Sequence, residues 1–158
     1  PTLGDNAIPE EERNWLSGLM ERTEGPFQGD VRMHCRMLAH DKLGPIRDEK
    51  TLREALSEYE RIENEDLQTL RLSEAARETG KWRGEEIESA LSIRNLALLG
   101  RILATAALER KESRGAHYRL DYPEPNDADW RKVTRLHHTD DGGIEFSTDP
   151  VKNVAGGA

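Results

Sequence analysis

Between positions 85 and 108 the chain is apolar around much of a helical circumference, and this segment constrains the fold more than any other. Ile87, Ala90, Leu91, Leu98, Ile102, Thr105 and Leu108 line one predicted face, and Ile93, Leu96, Leu99 and Leu103 widen it. Ala97, Gly100, Ala104, Ala106 and Ala107 are small enough to let neighbours approach closely. A helix apolar over that much of its surface needs partners on several sides, so it is expected to be central.

The other periodic segments supply those partners. Pro9 before Glu10, Glu11 and Glu12 marks a helix start, with acids at the positive end of the helix dipole. Trp15, Leu16, Leu19 and Met20 form its apolar face. Residues 23–30 read as a loop, and a second helix is predicted over about 31–40, ended by Gly44-Pro45, with Ile46 anchoring the turn. A third begins where either Asp48 or Thr51 can cap, and Thr51 with Glu54 fits a capping box. Leu52, Ala55, Leu56, Tyr59 and Ile62 follow the helical repeat, which Leu67 and Leu70 extend. Residues 79–84 break the chain before the central helix.

After Pro123 the character changes. Two short runs, 133–139 and 144–148, flank Asp140-Asp141-Gly142-Gly143 and read as a β-hairpin ended by Pro150. The first eight residues and the stretch after Pro150 are expected to be loose. The expected architecture is mainly α: a three- to four-helix bundle with a short C-terminal β-hairpin extension. Its divisions are an N-terminal segment with a short helix (1–30), the helical bundle (31–123), and a loop, hairpin and tail (124–158).

Composition narrows the function classes. Of 158 residues, 35% are hydrophobic and 34% charged, so the expected form is an elongated helical module or a piece of a larger protein. The net charge of -8 argues against a general nucleic-acid role, which needs a concentrated basic face. One cysteine, Cys35, permits no intrachain disulfide and sits among apolar residues as a small hydrophobe. No apolar run is read as approaching the about 20 residues of a membrane span, and no signal peptide is visible. The chain opens on Pro1, so processing or excision from a longer parent is expected.

Directly after the central helix, residues 109–123 crowd cations, acids, His117, Tyr118 and Tyr122 around Gly115. Gly115 marks a helix end or a position that a side chain would block. His117 is placed to sit over the helix C-terminus, where a cation is favoured. Arg114 and Arg119 are forked donors, with Glu112 and Asp121 as their obvious internal partners. Two readings stay open: a closed ion-pair network that staples the loop, or an outward Arg or His that meets a ligand or partner domain.

Other chemistry is poorly supported. His137-His138 on a strand point to opposite faces, and His34 and His40 do not share a helical face, so neither pair chelates a metal. Ser113 and His117 have the spacing of a nucleophile and base but lack an oxyanion hole. Trp15, Trp82 and Trp130 are taken as packing residues.

Arg110, Glu112-Ser113-Arg114-Gly115-Ala116-His117, Arg119, Asp121-Tyr122-Pro123, Asp127 and Trp130 resemble, in order and spacing, the C-terminal domain of succinate dehydrogenase and fumarate reductase flavoproteins. L-Aspartate oxidase and the flavin subunit of adenylylsulfate reductase look similar there. The stretch 44–56 and Arg94-Asn95-Leu96 are similar to other parts of that domain, so the likeness covers about 31–150. Two positions depart from it. Val133 stands where a His is common, and the tail after Pro150 lacks an aromatic, basic ending.

The resemblance implies an FAD domain, a capping domain and a C-terminal helical domain, of which this chain is the last. It implies a parent oxidoreductase of the succinate/fumarate type, with FAD in the parent and no cofactor, metal or catalytic residue in this chain. The chain also lacks a strand followed by Gly-x-Gly-x-x-Gly, the phosphate cradle of a dinucleotide fold. Glu112, Arg114, His117, Arg119, Asp121, Tyr122 and Trp130 become candidates for domain docking near the active site. The implied partners are the FAD and capping domains and an iron–sulfur subunit, with no nucleic acid and no direct membrane insertion. The implied location is the cytoplasm, peripheral at the inner face of the membrane through partner subunits. The alternatives are a stand-alone interaction or assembly module of a flavoprotein complex, and a fragment of L-aspartate oxidase.

Overall fold

A computed structural model describes residues 9–139 and 143–151. The helices are α1 (Glu10–Glu21), α2 (Gln28–Lys42), α3 (Glu49–Arg61), α4 (Arg83–Glu109) and the short α5 (Asp127–Trp130). π-Helical turns occupy Ile62–Asp66 and Ala75–Thr79. The strands β1 (Ile46–Arg47) and β2 (Tyr118–Arg119) pair in parallel, while β3 (Lys132–His138) and β4 (Ile144–Pro150) form an antiparallel hairpin. The chain is thus mainly α with a C-terminal hairpin, as expected. The Asp140-Asp141-Gly142 part of the hairpin turn lies outside the described residues, as do the two stretches expected to be loose, except Val151.

Two compact units divide the chain, and three helices contribute to both. The first unit contains Pro1–Leu38 and Glu58–Leu99. Its core holds Trp15, Leu19, Val31, Cys35, Leu38, Tyr59, Ile62, Leu67, Leu70, Leu72 and the α4 residues Ala90, Ile93 and Ala97. Two polar groups in this core find main-chain acceptors. The Trp15 indole donates to Leu67 O at 2.8 Å, and the Tyr59 hydroxyl donates to Cys35 O at 3.0 Å. Burial pushes the Cys35 thiol up to about 11, which makes it inert and apolar in character.

Residues 23–30 are not all loop. Gln28 is buried and opens α2, so the helix starts three residues before Val31. The preceding turn is fixed from outside the segment, because Gln28 N donates to Arg71 O and Arg71 N donates to Pro26 O. Gly25 has φ 105°, and a Cβ there would lie 2.0 Å from Thr69 O. Only glycine permits that approach.

The second unit contains Ala39–Ser57 and Gly100–Ala158. Its buried apolar residues are few and mostly small: Leu52, Ala55, Ala104 and Ala107. Asp48 caps α3, its carboxylate accepting from Thr51 N at 2.8 Å while Thr51 Oγ1 accepts from Asp48 N at 3.3 Å. Thr51 is therefore the third helical residue rather than the cap. Glu54, assigned to a capping box, pairs instead with Lys42 at 2.6 Å.

The face of α4 differs from expectation. Its buried residues are Ala90, Ile93, Ala97, Gly100, Ala104 and Ala107, whereas Leu91, Leu99 and Leu103 are exposed. Small side chains let neighbouring backbones come close, and that stripe wins over the bulkier one. By length and composition alone α4 would also suit a membrane span, with an 18-residue window of mean hydropathy 1.4. That corrects the reading that no apolar run comes near this length. A core helix meets the same measure, and here Arg94 of α4 is ion-paired to Glu12 of α1 while stacked 4.6 Å over Trp15.

Trp82 is another correction. It is 58% exposed, with φ 62°, so it does not pack. Ile46, expected to anchor a turn, is also exposed, and the main-chain pairing of β1 does that task.

Candidate functional site

The bend after α4 lies wholly in the second unit. A helix end leaves its last carbonyls without intrahelical donors. Arg119 supplies them: its Nη1 donates to Ala107 O at 2.7 Å and to Leu108 O at 3.0 Å. The other edge of the guanidinium meets Asp121 twice, Nε to Oδ1 and Nη2 to Oδ2, each at 2.7 Å. Arg119 is the largest fully buried side chain among the described residues. Its hydrogen bond to Asp121 holds the guanidinium in its charged form and draws the Asp121 carboxyl below its ordinary range. The Tyr122 ring lies 5.0 Å from the same cation.

Glu112 is the second centre, with its side chain fully buried. Arg114 reaches it through Nε and Nη2, both at 3.0 Å, and Arg110 reaches it through Nη2. Asn126 N donates to it at 2.9 Å, and Asn126 then caps α5 by accepting from Asp129 N. Burial works against the charged form of Glu112, but the donors from Arg114, Asn126 and Arg110 outweigh it and hold the carboxyl at about 2. Arg110 also donates to Trp130 O at 2.7 Å and lies 5.6 Å from the Trp130 ring. Further contacts to Lys132 O and Thr134 Oγ1 tie the start of β3 to the same carboxylate. Arg114, 40% exposed, adds an ion pair with Asp127.

His117 is not the expected cation. Its Nε2 lies 3.1 Å from Arg110 O, and its Nδ1 lies 3.0 Å from Arg47 Nη1. A carbonyl only accepts and a guanidinium only donates, so Nε2 carries the proton and Nδ1 is the acceptor. Burial, reinforced by Arg47, Arg119 and Arg110, pushes the imidazole pKa down. Gly115 does not end the helix, because α4 stops at Glu109. With φ 60° it takes the first central position of a tight turn in which Arg114 and His117 exchange two main-chain hydrogen bonds. A Cβ there would meet nothing within 4 Å, so conformation rather than crowding selects glycine.

Ser113 is structural. Its hydroxyl donates to Tyr122 O and accepts from Arg119 N, both at 2.8 Å. Both nitrogens of His117 are engaged elsewhere, so the pair does not form a nucleophile and base. The structure therefore brings Glu112, Arg114 and Trp130 into one cluster through Arg110, and Arg119, Asp121 and Tyr122 into a second. His117 joins them through Arg110 O. Of the two open readings, internal stapling describes the bonding of these side chains.

Arg47 and the β1–β2 pair were missed by the sequence reading. Strands of two residues are too short for alternation to mark them in the sequence. Metal chemistry has little to work with. Among the described residues no group of three or more His, Cys, Asp or Glu could hold an ion. His34 faces Glu58 at 3.4 Å.

Residues 32–155 match the family model described as "Fumarate reductase flavoprotein C-term". The chain belongs to this family. The succinate dehydrogenase flavoprotein subunit of Bacillus subtilis is 28% identical over 145 residues, covering 87% of this chain and 22% of that protein. That of Coxiella burnetii is 35% identical over 104 residues, covering 66% of the chain and 17% of the protein. Among solved structures, Mycobacterium smegmatis Sdh1 is 27% identical, with a TM-score of 0.71, covering 95% of this chain and 25% of that one. A mutant E. coli quinol fumarate reductase has the same fold at 20% identity, with a TM-score of 0.77 over 92% of this chain and 24% of that one. The chain thus spans about a fifth of the length of the curated relatives it matches.

These relatives are flavoprotein subunits by name, so the fit of a flavin dinucleotide to this domain can be tested. A pyrophosphate needs a free helix N-terminus after a strand. The turn from β1 into α3 is the candidate, but the Asp48 carboxylate occupies Thr51 N and the Asp121 carboxylate occupies Glu49 N at 3.2 Å. Two anions already fill the place of a phosphate, and no glycine lies between Ile46 and Thr51. The β1–α3 turn therefore does not fit the pyrophosphate of a dinucleotide.

Proposed function

We propose that this chain is the C-terminal helical domain of an FAD-dependent oxidoreductase of the succinate/fumarate type, inactive alone and packed against the flavin-bearing part of its parent. The observation that carries the reading is the family match over 32–155, in a chain that covers only about a fifth of its relatives. The geometry supports a scaffolding role. Arg119, Asp121, Glu112 and Arg114 are spent on each other and on main-chain carbonyls, which rigidifies the bend instead of presenting a reactive group. In this reading the bend stands at or near the junction with the flavin-bearing part, and FAD, substrate and the redox step belong to the parent. Iron–sulfur and membrane-bound subunits are partners of that parent, reached from the inner face of the membrane.

The test is complementation. The chain is co-expressed with the flavin-bearing portion of its own reading frame, and succinate-dependent dye reduction and fumarate turnover are assayed. Activity well above that of either part alone is expected. No gain in either assay defeats the reading.

A further inference from the structure

The β1–β2 pair has its polarity reversed. Parallel register places Ile46 beside Tyr118 and Arg47 beside Arg119. Side chains alternate along a strand, so Ile46, Tyr118 and Leu120 share one face and the two arginines share the other. In an ordinary two-layer fold the apolar face is turned inward. Here Arg119 is fully buried and Arg47 half-buried, while Ile46 is 67% exposed, Tyr118 42% and Leu120 57%. The ladder holds this register through Tyr118 N to Pro45 O at 2.9 Å and Leu120 N to Arg47 O at 2.8 Å. The arginines cannot be released from the inner face without orphaning Asp121, His117 and the carbonyls at the end of α4. The outward apolar set is therefore built in.

We propose that this ledge of Ile46, Tyr118 and Leu120 docks on an apolar surface of the flavin-bearing part of the same polypeptide. The proposal rests on the domain assignment above and names the surface that assignment uses. Both strands fall inside the family match, in a chain whose relatives are several times longer, so a covering body is at hand in the same molecule. A second copy of this chain is a poorer occupant. Three side chains fall far short of the roughly 800 Å² per partner that a stable dimer buries, whereas a covalently joined neighbour needs no such area. The charged residues of the bend then act as supports that aim the ledge, not as the contact itself.

The experiment compares this chain with the full polypeptide that carries the flavin-bearing part. Ile46→Cys and Leu120→Cys are made separately and labelled with a maleimide, the buried Cys35 giving the slow background. Both positions are exposed, so the substitutions should leave the melting temperature nearly unchanged, which circular dichroism verifies. Labelling should be fast in this chain and at least ten-fold slower in the full polypeptide. Equal rates in the two, with flavin bound to the full polypeptide, overturn the docking proposal and leave the domain assignment standing. A full polypeptide without bound flavin defeats the assignment and the proposal together. Slow labelling in this chain alone, relieved on dilution, means that a second copy covers the ledge and also overturns the proposal.

Discussion

Arg47 donates to Nδ1 of His117 across 3.0 Å, joining positions 70 apart in the sequence. Burial lowers the imidazole pKa first, and that contact reinforces it and fixes the tautomer. Alone at a helix C-terminus His117 would favour its cation, but beside a guanidinium that can only donate it must remain neutral to accept. The outcome ties the β1 segment to the first residue beyond α4, because the other ring nitrogen binds Arg110 O.

Acid should loosen this bend in two stages. His117 has its pKa lowered below 6.5 in the fold, so the unfolded chain takes up the proton more readily. Its stabilising effect is complete above about pH 6.5 and is lost as pH falls through the lower folded value. Glu112 lies at about 2 against an ordinary 4.5, so its contribution is present above pH 4.5 and disappears between there and pH 2. Thermal melts from pH 8 to pH 2 should show falling stability in both windows, and His117→Gln should remove the upper one. A melting temperature flat between pH 7 and pH 5 would contradict the His117 account.

Glu112→Gln leaves the Arg110 and Arg114 side chains without their shared carboxylate. Breaking a buried charge pair from one side costs about 3–5 kcal/mol. Urea denaturation should register a loss of that order. The amide proton of Asn126, bonded to Glu112, should also exchange faster in the variant. A loss under 1 kcal/mol would show that the carboxylate is not the organising group of the loop.

Asp48→Ala removes the cap of α3 and should cost about 1 kcal/mol. The same substitution at Thr51 should cost less, because the carboxylate of Asp48 would still accept from the main-chain N–H of residue 51. Equilibrium unfolding of the two variants compares them directly. The opposite order would restore Thr51 as the cap.

Gly25→Ala and Gly115→Ala both place a methyl group on a left-handed residue, yet they should differ in size. At Gly115 the methyl meets open space, so the cost is conformational, about 1 kcal/mol. At Gly25 it would also meet Thr69 O at 2.0 Å, and the turn that seats α2 must shift. Melting temperatures should rank Gly25→Ala well below Gly115→Ala.

Features governed by near neighbours in the chain were legible from the residues. α1 and α4 fall where the apolar repeat places them, α3 starts there but ends at Arg61, short of Leu67 and Leu70, and the two strands of the hairpin pair as expected. The partners Glu112 with Arg114 and Arg119 with Asp121 sit two residues apart, close enough for pairing to be foreseen from charge alone. The run from Arg110 to Trp130 was sufficient to point to the family. These features depend on propensity and short-range geometry, which a linear order of side chains carries.

What lay beyond reach depends on partners distant in sequence. Two-residue strands have no periodicity to detect, so the pairing of Ile46 with Tyr118 existed only once α3, α4 and the bend had been placed. The stripe that α4 buries was settled by how closely its neighbours could approach Ala90, Ala97, Ala104 and Ala107, a property of packing and not of the repeat. The start of α2 at Gln28 was decided by Arg71, and the neutrality of His117 by burial, with Arg47 reinforcing it. The residues alone determined which segments coil and which charges pair; tertiary contact decided which faces turn inward and which groups stay uncharged, because burial and desolvation depend on neighbours that only the folded chain brings together.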